Sequence, residues 1–508
     1  MALLPGRPVS RLRQRPRTKH GSRPVIPGFI SRAGSMVFSM EKPVSSSMLK
    51  STIFREYDIR GIADVELIDA DIEVLGRAFG TYLQRHAGKK IALARDTRLS
   101  SPRLRDALMR GLKASGCAVT DLGVAPTPVL YYAVIHLQAD GGVMITGSHN
   151  PPEFNGFKTV CGASTIHGEA IQEILGLIET GGLARGEGSE TAYDAATPYV
   201  EEVAAQFHFA RPVRVVVDAG NGTGGPAMHR ILEKLNVQAA EMFFEMDGNF
   251  PNHHPDPTVP KNLEALIAKV RETGADLGIA FDGDADRIGA VDDRGRVIYG
   301  DQLMIIYGRE ILTRKPGATF IGEVKCSQVM YDDLKARGGN PIMWKTGHSL
   351  IKAKMKQEHA ELAGEMSGHM FFADRYYGYD DALYAACRLM EIVSQTGQPL
   401  SSRLAGLPET VTTPEIRFDC SDEMKFEVVR LAAAELRSRH KTLDVDGVRV
   451  LFESGWGLVR ASNTQPVLVM RFEAATPELL REYRDEVEGA VRRAIAAARK
   501  KAGSAEPA

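Results

Sequence analysis

The sequence predicts an α/β protein of three related α/β units followed by a smaller C-terminal α+β unit. The length, 508 residues, exceeds what one hydrophobic core supports, so several domains are expected. From Ser51 onward, short apolar segments alternate with longer helical patterns, which is typical of α/β units. Beyond about Pro408 the predicted strands become shorter and two long helical segments follow. These observations favour four folded domains.

The pattern starts afresh at three points along the chain. The first unit contains strand candidates KKIALARD, CAVTDLGV and GGVMITG, separated by the helical patterns RLRDALMRGLKASG and PVLYYAVIHL. The alternation restarts at VRVVVDAGNG and again near ATFIGEVKC. The last unit holds the helical segments FEVVRLAAAELRSRH and PELLREYRDEVEGAVRRAIAAARK. We therefore place the four units at residues 49–193, 194–296, 297–408 and 409–503.

Residues 1–48 form a basic extension with no acidic side chain before Glu41. Such a bias is found in targeting peptides. The alternative is an upstream extension, since Met36, Met40 and Met48 all precede the first convincing folded segment. We favour the extension and expect this stretch to be disordered.

Composition excludes several classes of function. The formal net charge is -1, with 25% charged and 44% hydrophobic residues, so no general nucleic-acid or membrane surface is expected. No apolar run approaches the roughly 20 residues that cross a bilayer. Five cysteines are scattered without a CxxC pair, which fits a reducing compartment. We expect a soluble, cytoplasmic monomer.

A faint internal repeat connects the first three units. The stretches AD-GGVMIT-G, AD-LGIAFD-G and AE-LAGEMS-G share Ala and an acid, six residues, then Gly. Chance is the alternative for so short a pattern. If the repeat is real, each unit presents one loop from the end of the same strand, and the three loops converge on one ligand site.

The stretch TGSHNPPEFNGFK carries the first candidate functional residue, Ser148. It follows the apolar run GGVMI, so it is expected where a strand enters a loop. Pro151 and Pro152 stiffen that loop because they fix φ and supply no N–H. The hydroxyl is then either a nucleophile or an ordinary turn residue, since Ser, Asn, Gly and Pro are common in turns.

The motif FDGDADR places Asp282, Asp284 and Asp286 at alternate positions after an apolar strand. Three carboxylates this close repel one another, so a hard divalent cation is their natural partner. An EF-hand is excluded because Arg287 and Asp293 stand where it needs Gly and usually Glu. A solvated acidic turn is the remaining alternative.

Magnesium would also account for Ser148, because Mg²⁺ takes oxygen ligands and often includes a phosphate oxygen. A phosphoserine would supply that ligand. Phosphoryl transfer needs positive charge around the moving group. The candidates are Lys158, His149, Arg287 and Lys325, each of which is also compatible with a surface charge.

Two further motifs have the character of recognition loops. GEMSGH offers Glu365, Ser367 and His369; Glu and Ser suit the vicinal hydroxyls of a sugar, and a hydrogen-bonded structural loop is the alternative. The second motif, GLVRASNTQPVLVMRFEA, has a loop between two apolar strands. This loop supplies a guanidinium, hydroxyls and backbone N–H groups, which together suit a phosphate. A turn with a surface arginine is the alternative. Its residues are Arg460, Ser462, Asn463 and Thr464.

These four motifs occur in the order seen in α-D-phosphohexomutases. The chain resembles the bacterial phosphomannomutase/phosphoglucomutase branch of that family, with supporting matches at IFREYDIRG, PTPVLYYA, DGNFPNHHPDP and MWKTGHSLIK. The resemblance runs from about Ile53 to the last helix. It implies a four-domain, heart-shaped enzyme with three related α/β domains and a smaller, mobile, TATA-box-binding-protein-like fourth domain.

The resemblance also implies roles for individual residues. Ser148 would be the phosphoserine, and it would hold Mg²⁺ together with Asp282, Asp284 and Asp286. Lys158 and His369 would assist proton transfer, with Arg287 and Arg60 as further catalytic groups. The family motif often has a glycine where Ala285 stands; alanine disfavours positive φ but leaves the three ligands in place. Substrate-binding roles would fall to Tyr57, His149, Lys325, His348, Glu365, Ser367, Arg460, Ser462, Asn463 and Thr464.

The implied reaction is reversible phosphoryl transfer between O1 and O6 of mannose or glucose phosphates, through a phosphoserine and a hexose 1,6-bisphosphate. Glucose 1,6-bisphosphate would be the priming activator. A phosphoglucosamine mutase and a non-catalytic sugar-phosphate-binding homologue are the alternatives. A serine hydrolase fails because Thr146 and Asn150 replace the glycines of GxSxG. A haloacid-dehalogenase phosphatase leaves Ser148 and GEMSGH unexplained.

Overall fold

The computed structural model describes residues 49–503, apart from Ala163, Thr396 and Thr464. The expected basic extension over residues 1–48 and the expected phosphate ligand Thr464 therefore lie outside the described residues. Within the described part of the chain, the strands form three mixed sheets and one antiparallel sheet. The four-domain α/β fold predicted from the sequence is confirmed.

The first sheet has seven strands in the order β1-β5-β4-β2-β3-β7, with β6 added to β5. The predicted strands KKIALARD, CAVTDLGV and GGVMITG become β2, β3 and β4. The strands are β1 (Ile59–Ile62), β2 (Lys90–Arg95), β3 (Ala118–Val124), β4 (Gly141–Ile145), β5 (Phe154–Cys161), β6 (Ser164–Thr165) and β7 (Ser189–Ala192). The helices are α1 (Ala63–Glu66), α2 (Asp69–His86), α3 (Ser101–Ala114), α4 (Thr127–His136), α5 (Glu169–Thr180) and α6 (Ala196–Ala205).

The second sheet has five strands in the order β12-β11-β10-β8-β9. Its last strand, β12, pairs with β11, so this sheet extends two residues past the predicted boundary at residue 296. The strands are β8 (Arg214–Asp218), β9 (Gln238–Met242), β10 (Leu277–Phe281), β11 (Ile288–Asp292) and β12 (Val297–Ile298). The helices are α7 (Gly224–Lys234) and α8 (Glu264–Thr273).

The third sheet has the order β14-β13-β15-β16. Its strands are β13 (Thr319–Glu323), β14 (Asn340–Trp344), β15 (Leu362–Gly364) and β16 (Met370–Phe372), and its helices are α9 (Gly300–Arg314), α10 (Gln328–Ala336), α11 (His348–Glu358) and α12 (Ala382–Gln395).

The fourth sheet is antiparallel, in the order β17-β22-β21-β20-β19 with β18 on β22. Its strands are β17 (Val411–Thr412), β18 (Ile416–Asp419), β19 (Lys441–Leu443), β20 (Val448–Phe452), β21 (Gly455–Ala461) and β22 (Val467–Ala474). Its helices are α13 (Lys425–Arg437) and α14 (Pro477–Gly503).

The three repeated sequence stretches occupy equivalent strands. In each mixed sheet one strand lies between a parallel neighbour and an antiparallel one: β4 between β2 and β5, β10 between β8 and β11, and β15 between β13 and β16. Each of these strands leads into one of the three polar motifs. The repeat is therefore structural and not a chance pattern, and it places three loops at equivalent strand ends.

The hydrophobic core is continuous through the three α/β units. One cluster of buried side chains joins them, with Tyr132 and Tyr199 packed edge to face at 5.6 Å. The fourth unit has its own core, in which α13 and α14 cover the sheet. A small cluster of Val324, Trp456 and Leu458 connects the third unit to the fourth. Across the described residues, none of the helices combines the length and apolarity that crossing a bilayer requires.

Candidate active site

Ser148 lies on the loop after β4 in a strained backbone conformation. Its φ is +49°, in the left-handed region that non-glycine residues rarely adopt, and the side chain is 2% exposed. The Thr146 hydroxyl accepts a hydrogen bond from the Ser148 N–H at 2.8 Å. Such strain persists only where the surroundings enforce it.

A buried arginine enforces that conformation. The Arg98 guanidinium donates to the backbone carbonyls of Ser148 at 2.8 Å, Asn150 at 2.5 Å, Pro151 at 2.5 Å and Phe154 at 3.0 Å. These bonds fix the loop on both sides of the two prolines. Because Arg98 is 1% exposed, its five N–H donors are satisfied by protein rather than by water.

The three aspartates after β10 form a buried cluster beside this loop. Asp282, Asp284 and Asp286 are all 0% exposed, and ligand oxygens from the three lie within 4.8 Å of one another. Lys158 Nζ donates to Asp284 at 2.7 Å and to Asp286 at 2.5 Å. Burial by itself lowers the pKa of Lys158, but the two carboxylates raise it above its usual range.

The cluster and the serine are in direct contact. Ser148 Oγ donates to Asp282 Oδ2 at 2.6 Å. A Cβ at Gly283 would lie 2.5 Å from the Ser148 carbonyl oxygen, so only glycine allows the two loops to approach this closely. Burial and the charges of its two neighbours raise the pKa of Asp282 well above its usual range. An added cation would therefore stabilise the ionised form of this carboxyl group.

The described residues fit a divalent metal. Asp284 Oδ1 is buried and has no hydrogen-bond partner in the described part of the chain, although Thr127 Oγ1 and Lys158 both donate to Oδ2. An unpaired carboxylate oxygen inside an acidic cluster is the donor that a hard cation requires. The buried acidic cluster is compatible with a divalent metal site.

Ala285 occupies the middle of the aspartate loop with φ of +56°. An alanine there adopts the left-handed conformation at a cost of about 1–2 kcal/mol. Its methyl group is fully buried, and all three aspartates remain in the cluster. The departure from the glycine that the family often has is therefore accommodated, as expected.

His369 joins the aspartate cluster to the GEMSGH loop. Its Nδ1 lies 2.5 Å from Glu365 Oε2, and its Nε2 lies 3.2 Å from Asp286 Oδ1. Burial lowers the pKa of His369 and Asp286 raises it, to about 9 in balance. Burial raises the pKa of Glu365, but His369 and the Gly347 N–H lower it to about 2.

Two other predicted residues border Ser148 and His369, and a third contacts the serine loop. His149 Nδ1 lies 3.2 Å from Ser148 Oγ, and Arg287 contacts both His149 Nε2 at 3.4 Å and His369 Nε2 at 3.2 Å. Burial and Arg287 hold the pKa of His149 well below its usual range, which keeps the ring neutral. Arg60 donates to the Asn150 side chain at 3.1 Å, next to the serine loop.

The residues predicted to bind the sugar lie next to His369. Ser367 Oγ lies 3.4 Å from both Glu365 Oε2 and His369 Nδ1, and it is partly exposed. The His348 ring is 5.7 Å from that of His369 and 6.3 Å from that of Tyr57. Burial and the Lys352 charge hold the pKa of His348 well below its usual range.

Most of the residues predicted to bind the phosphate that does not react belong to the fourth unit. Arg460 Nε donates to Asp446 at 2.8 Å and is buried, and the Ser462 hydroxyl accepts from the Gln465 N–H at 3.1 Å. Lys325, from the third unit, pairs with Glu415 at 3.1 Å.

A continuous chain of contacts connects the two ends of the site. It runs from Ser148 through the aspartates to His369 and Glu365, and Gly347 then donates to Glu365 at 2.7 Å. The neighbouring Thr346 carbonyl accepts from Tyr57 at 2.6 Å, and the Asn463 amide donates to the Tyr57 hydroxyl at 2.5 Å. The structure therefore brings the described members of all four motifs into one site.

Sequence reasoning missed several residues of this site. Arg98 lies on the loop that follows β2. The other site loops also follow strands, so this position could have marked Arg98 as a site residue. Thr127 donates to Asp284 at 2.5 Å and belongs to PTPVLYYA, one of the stretches that resemble the family. Asp380 forms a second buried cluster with Asp286 and His369, and no sequence pattern marked it.

Comparison with known proteins identifies the family and supports the fold. Models of the phosphoglucomutase/phosphomannomutase family match residues 51–185 (α/β/α domain I), 197–295 (domain II), 299–411 (domain III) and 415–490 (C-terminal domain). A phosphomannomutase/phosphoglucomutase of Pseudomonas aeruginosa is 46% identical over 433 residues, 85% of this chain and 94% of that protein.

Two further relatives agree with this assignment. A phosphoglucomutase of Neisseria gonorrhoeae is 45% identical over 429 residues, 84% of this chain and 93% of that protein. A crystal structure of a phosphoglucomutase/phosphomannomutase family protein from Burkholderia thailandensis has a TM-score of 0.82 at 42% identity, covering 88% of this chain and 98% of that one. The chain belongs to the α-D-phosphohexomutase family and is a phosphohexose mutase, an isomerase.

Proposed function

We propose that this phosphohexomutase transfers a phosphoryl group between O1 and O6 of mannose or glucose phosphates, through phosphorylated Ser148 and a hexose 1,6-bisphosphate. The observation that carries this proposal is the Ser148 Oγ, held 2.6 Å from Asp282 on a loop clamped by Arg98. A hydroxyl fixed beside a buried carboxylate cluster is positioned for phosphoryl exchange rather than for a turn. The names of the relatives support the two hexoses.

The proposed exchange consists of two half-reactions. In the first half-reaction the P–Oγ bond of phosphorylated Ser148 breaks, a P–O bond to a sugar hydroxyl forms, and that hydroxyl loses its proton. The serine Oγ regains a proton as it leaves. In the second half-reaction the other phosphoryl group of the bisphosphate returns to Ser148, which restores the phosphorylated enzyme.

We assign the proton transfers to Lys158 and His369. Both border the cluster and hold protons near neutral pH, since the neighbouring aspartates raise the pKa of each against the effect of burial. One of them would therefore donate its proton to the departing Ser148 Oγ, and the neutral group that results would accept the proton of the attacking sugar hydroxyl. Arg287 and Arg60 add fixed positive charge beside the serine loop, where negative charge on the transferred group needs stabilisation. His149 remains neutral and orients the Ser148 hydroxyl.

We propose Mg²⁺ as the divalent metal. Its protein ligands would be Asp282, Asp284 and Asp286, together with Ser148 or its phosphate, because Mg²⁺ prefers oxygen donors. When bound, the metal supplies positive charge that stabilises the phosphoryl oxygens during transfer. Glucose 1,6-bisphosphate is the proposed priming activator, because it can phosphorylate an unmodified Ser148.

The remaining residues suit recognition of a sugar bearing a phosphate. Glu365 and Ser367 would bind two sugar hydroxyls common to both orientations, with Tyr57 and His348 beside them. The anion-binding groups would hold the phosphate that does not react. Opening of the fourth unit would let the bisphosphate turn around. The anion-binding groups are Lys325, Arg460, Ser462, Asn463 and Thr464.

We infer that the four domains are divided near residues 193, 296 and 408. A cytoplasmic location is supported by the five cysteines, all of which are free.

Replacement of the serine tests the central claim. Ser148→Ala should lower mutase turnover by at least about a thousandfold, since the phosphoryl carrier is lost. The exposed Ser189→Ala, in β7, is the control and should keep normal turnover. Intact-mass measurement after incubation with glucose 1,6-bisphosphate should show one added phosphate in the parent and none in Ser148→Ala. Normal turnover in Ser148→Ala would refute the phosphoserine role.

A substrate comparison tests the choice of sugar. Mannose 1-phosphate, glucose 1-phosphate and glucosamine 1-phosphate are assayed with Mg²⁺ and a trace of glucose 1,6-bisphosphate. We expect turnover of the first two to exceed that of the third. The reverse order would identify a phosphoglucosamine mutase.

A further inference from the structure

A cavity of about 520 Å³ lies outside the proposed catalytic site, between the first and third units. Helix α4 and strand β5 form one wall, and helix α11 and the loop before α12 form the other. We propose that this cavity binds a small planar anion: a flat ring carrying a phosphate, such as a nucleoside monophosphate. Its volume lies within the roughly 300–1,000 Å³ range of small-molecule sites.

The wall of the cavity is aromatic. The Tyr377 and Tyr379 rings are parallel, with an interplanar angle of 6° and centroids 5.9 Å apart, and Tyr131 lies 5.3 Å from Tyr379. Tyr377 lines the cavity and is 45% exposed. Flat aromatic faces bind a planar ring by stacking, which accounts for the ring in the proposed ligand.

The charges at the cavity favour an anion. Lys356 and His359 line it and are exposed, and neither side chain has an ion pair with any other described residue. The one acidic residue of the lining, Glu361, is already neutralised by Lys315 at 2.8 Å. The free Lys356 ammonium outweighs the roughly half-unit negative charge at the end of α11.

The cavity is separate from the sugar-phosphate site. Lys352 stands between them: its Nζ lies 4.2 Å from the Tyr131 ring centroid and 2.8 Å from Asp380. Asp380 in turn neighbours Asp286 and His369. A ligand in the cavity and a sugar phosphate beside Ser148 would therefore occupy different volumes, and binding of one should not exclude the other.

The experiment is calorimetric titration of the full-length protein with AMP, adenosine, ribose 5-phosphate and inorganic phosphate. AMP should bind at least about tenfold more tightly than each of the other three ligands. Only AMP has both a planar base to stack on the tyrosine rings and a phosphate to pair with Lys356. Saturating glucose 1-phosphate should leave the AMP affinity unchanged. Failure of AMP to exceed inorganic phosphate would overturn the proposal.

Variants locate the binding. Lys356→Glu should weaken AMP binding about tenfold or more, Tyr377→Ala about fivefold or more, and both should keep parental kcat and KM for glucose 1-phosphate. Lys335→Glu, on the exposed face of α10, is the matched charge reversal and should change neither. AMP binding that survives Lys356→Glu and is displaced by glucose 1-phosphate would lie in the sugar-phosphate site and overturn the proposal. The titration needs no turnover, so its outcome is independent of the role of Ser148.

Discussion

The two ends of the site are built differently. At the Ser148 end, the serine loop, the aspartates and Lys158 are buried and tied together by short charged contacts between units that share one core. At the Arg460 end, the groups belong to a unit with its own core, and Asn463 reaches the first unit through the Tyr57 hydroxyl. The difference indicates that the Ser148 end is the more tightly preorganised of the two.

The largest effect is expected from breaking the charge balance of the buried end. Lys158→Met removes the cation that Asp284 and Asp286 share. Asp286 then keeps only His369 as an ion-pair partner among the described residues. The loss should cost about 3–5 kcal/mol of unfolding free energy without metal. Turnover should fall about 10²–10⁴-fold as a proton-transfer group is lost. Denaturant unfolding in EDTA and in MgCl₂ measures the first effect, and Mg²⁺ should stabilise the variant more than the parent.

A surface lysine provides the comparison for Lys158. Lys113 pairs with Glu190 at 3.2 Å and is 39% exposed, so Lys113→Met should cost only about 0–1 kcal/mol. Equal losses in the two variants would show that the buried cluster is not specially dependent on Lys158.

A smaller effect is expected from loosening the serine loop while its chemical groups remain. Arg98→Lys keeps the charge but loses the planar fork that binds four carbonyls, so Ser148 is displaced. We expect kcat to fall about 100-fold with little change in KM. Arg105→Lys, a partly buried arginine of the same unit, is the control for the substitution itself. A rise in KM at unchanged kcat would place the effect on binding instead.

A substitution at the Arg460 end should change KM, whereas the substitution at Arg98 changes kcat. Arg460→Lys replaces a two-pronged donor by a point charge, and loss of a hydrogen bond to a charged phosphate costs about 1.5–3 kcal/mol. KM for glucose 1-phosphate should rise about 10–100-fold, while phosphorylation of Ser148, measured by intact mass, is retained. Arg430→Lys, on the exposed face of α13, should behave as the parent. Loss of the phosphoserine in Arg460→Lys would contradict the separation of the two ends.

The smallest effect tests the contact between the fourth unit and the first. Tyr57→Phe removes the hydroxyl that donates to Thr346 and accepts from Asn463, at a cost of about 1 kcal/mol. KM should rise about fivefold with kcat nearly unchanged. Tyr82→Phe, in α2 beside His86, is the control. An effect as large as that of Lys158→Met would mean that closure of the fourth unit is required for the chemistry itself.

Local patterns in the sequence were sufficient to predict the architecture and the site motifs. The alternation of apolar runs and helical patterns located β2, β3, β4 and the helices between them, because strand and helix periods are local properties. The repeat predicted that three loops leave equivalent strands. The spacing of Asp282, Asp284 and Asp286 predicted their clustering, since all three follow one buried strand within five residues.

Only the tertiary structure decided how these loops meet. Lys158 reaches Asp284 across 126 positions of sequence, and His369 reaches Asp286 across 83. No short-range pattern specifies such pairs, because the packing of one unit against another sets them. The left-handed backbone at Ser148, the Arg98 clamp and the pKa of His369 follow from burial and from neighbours distant in the chain. The sequence by itself determined which chemical groups stand at the strand ends, and the packing of the units determined their distances, charges and partners.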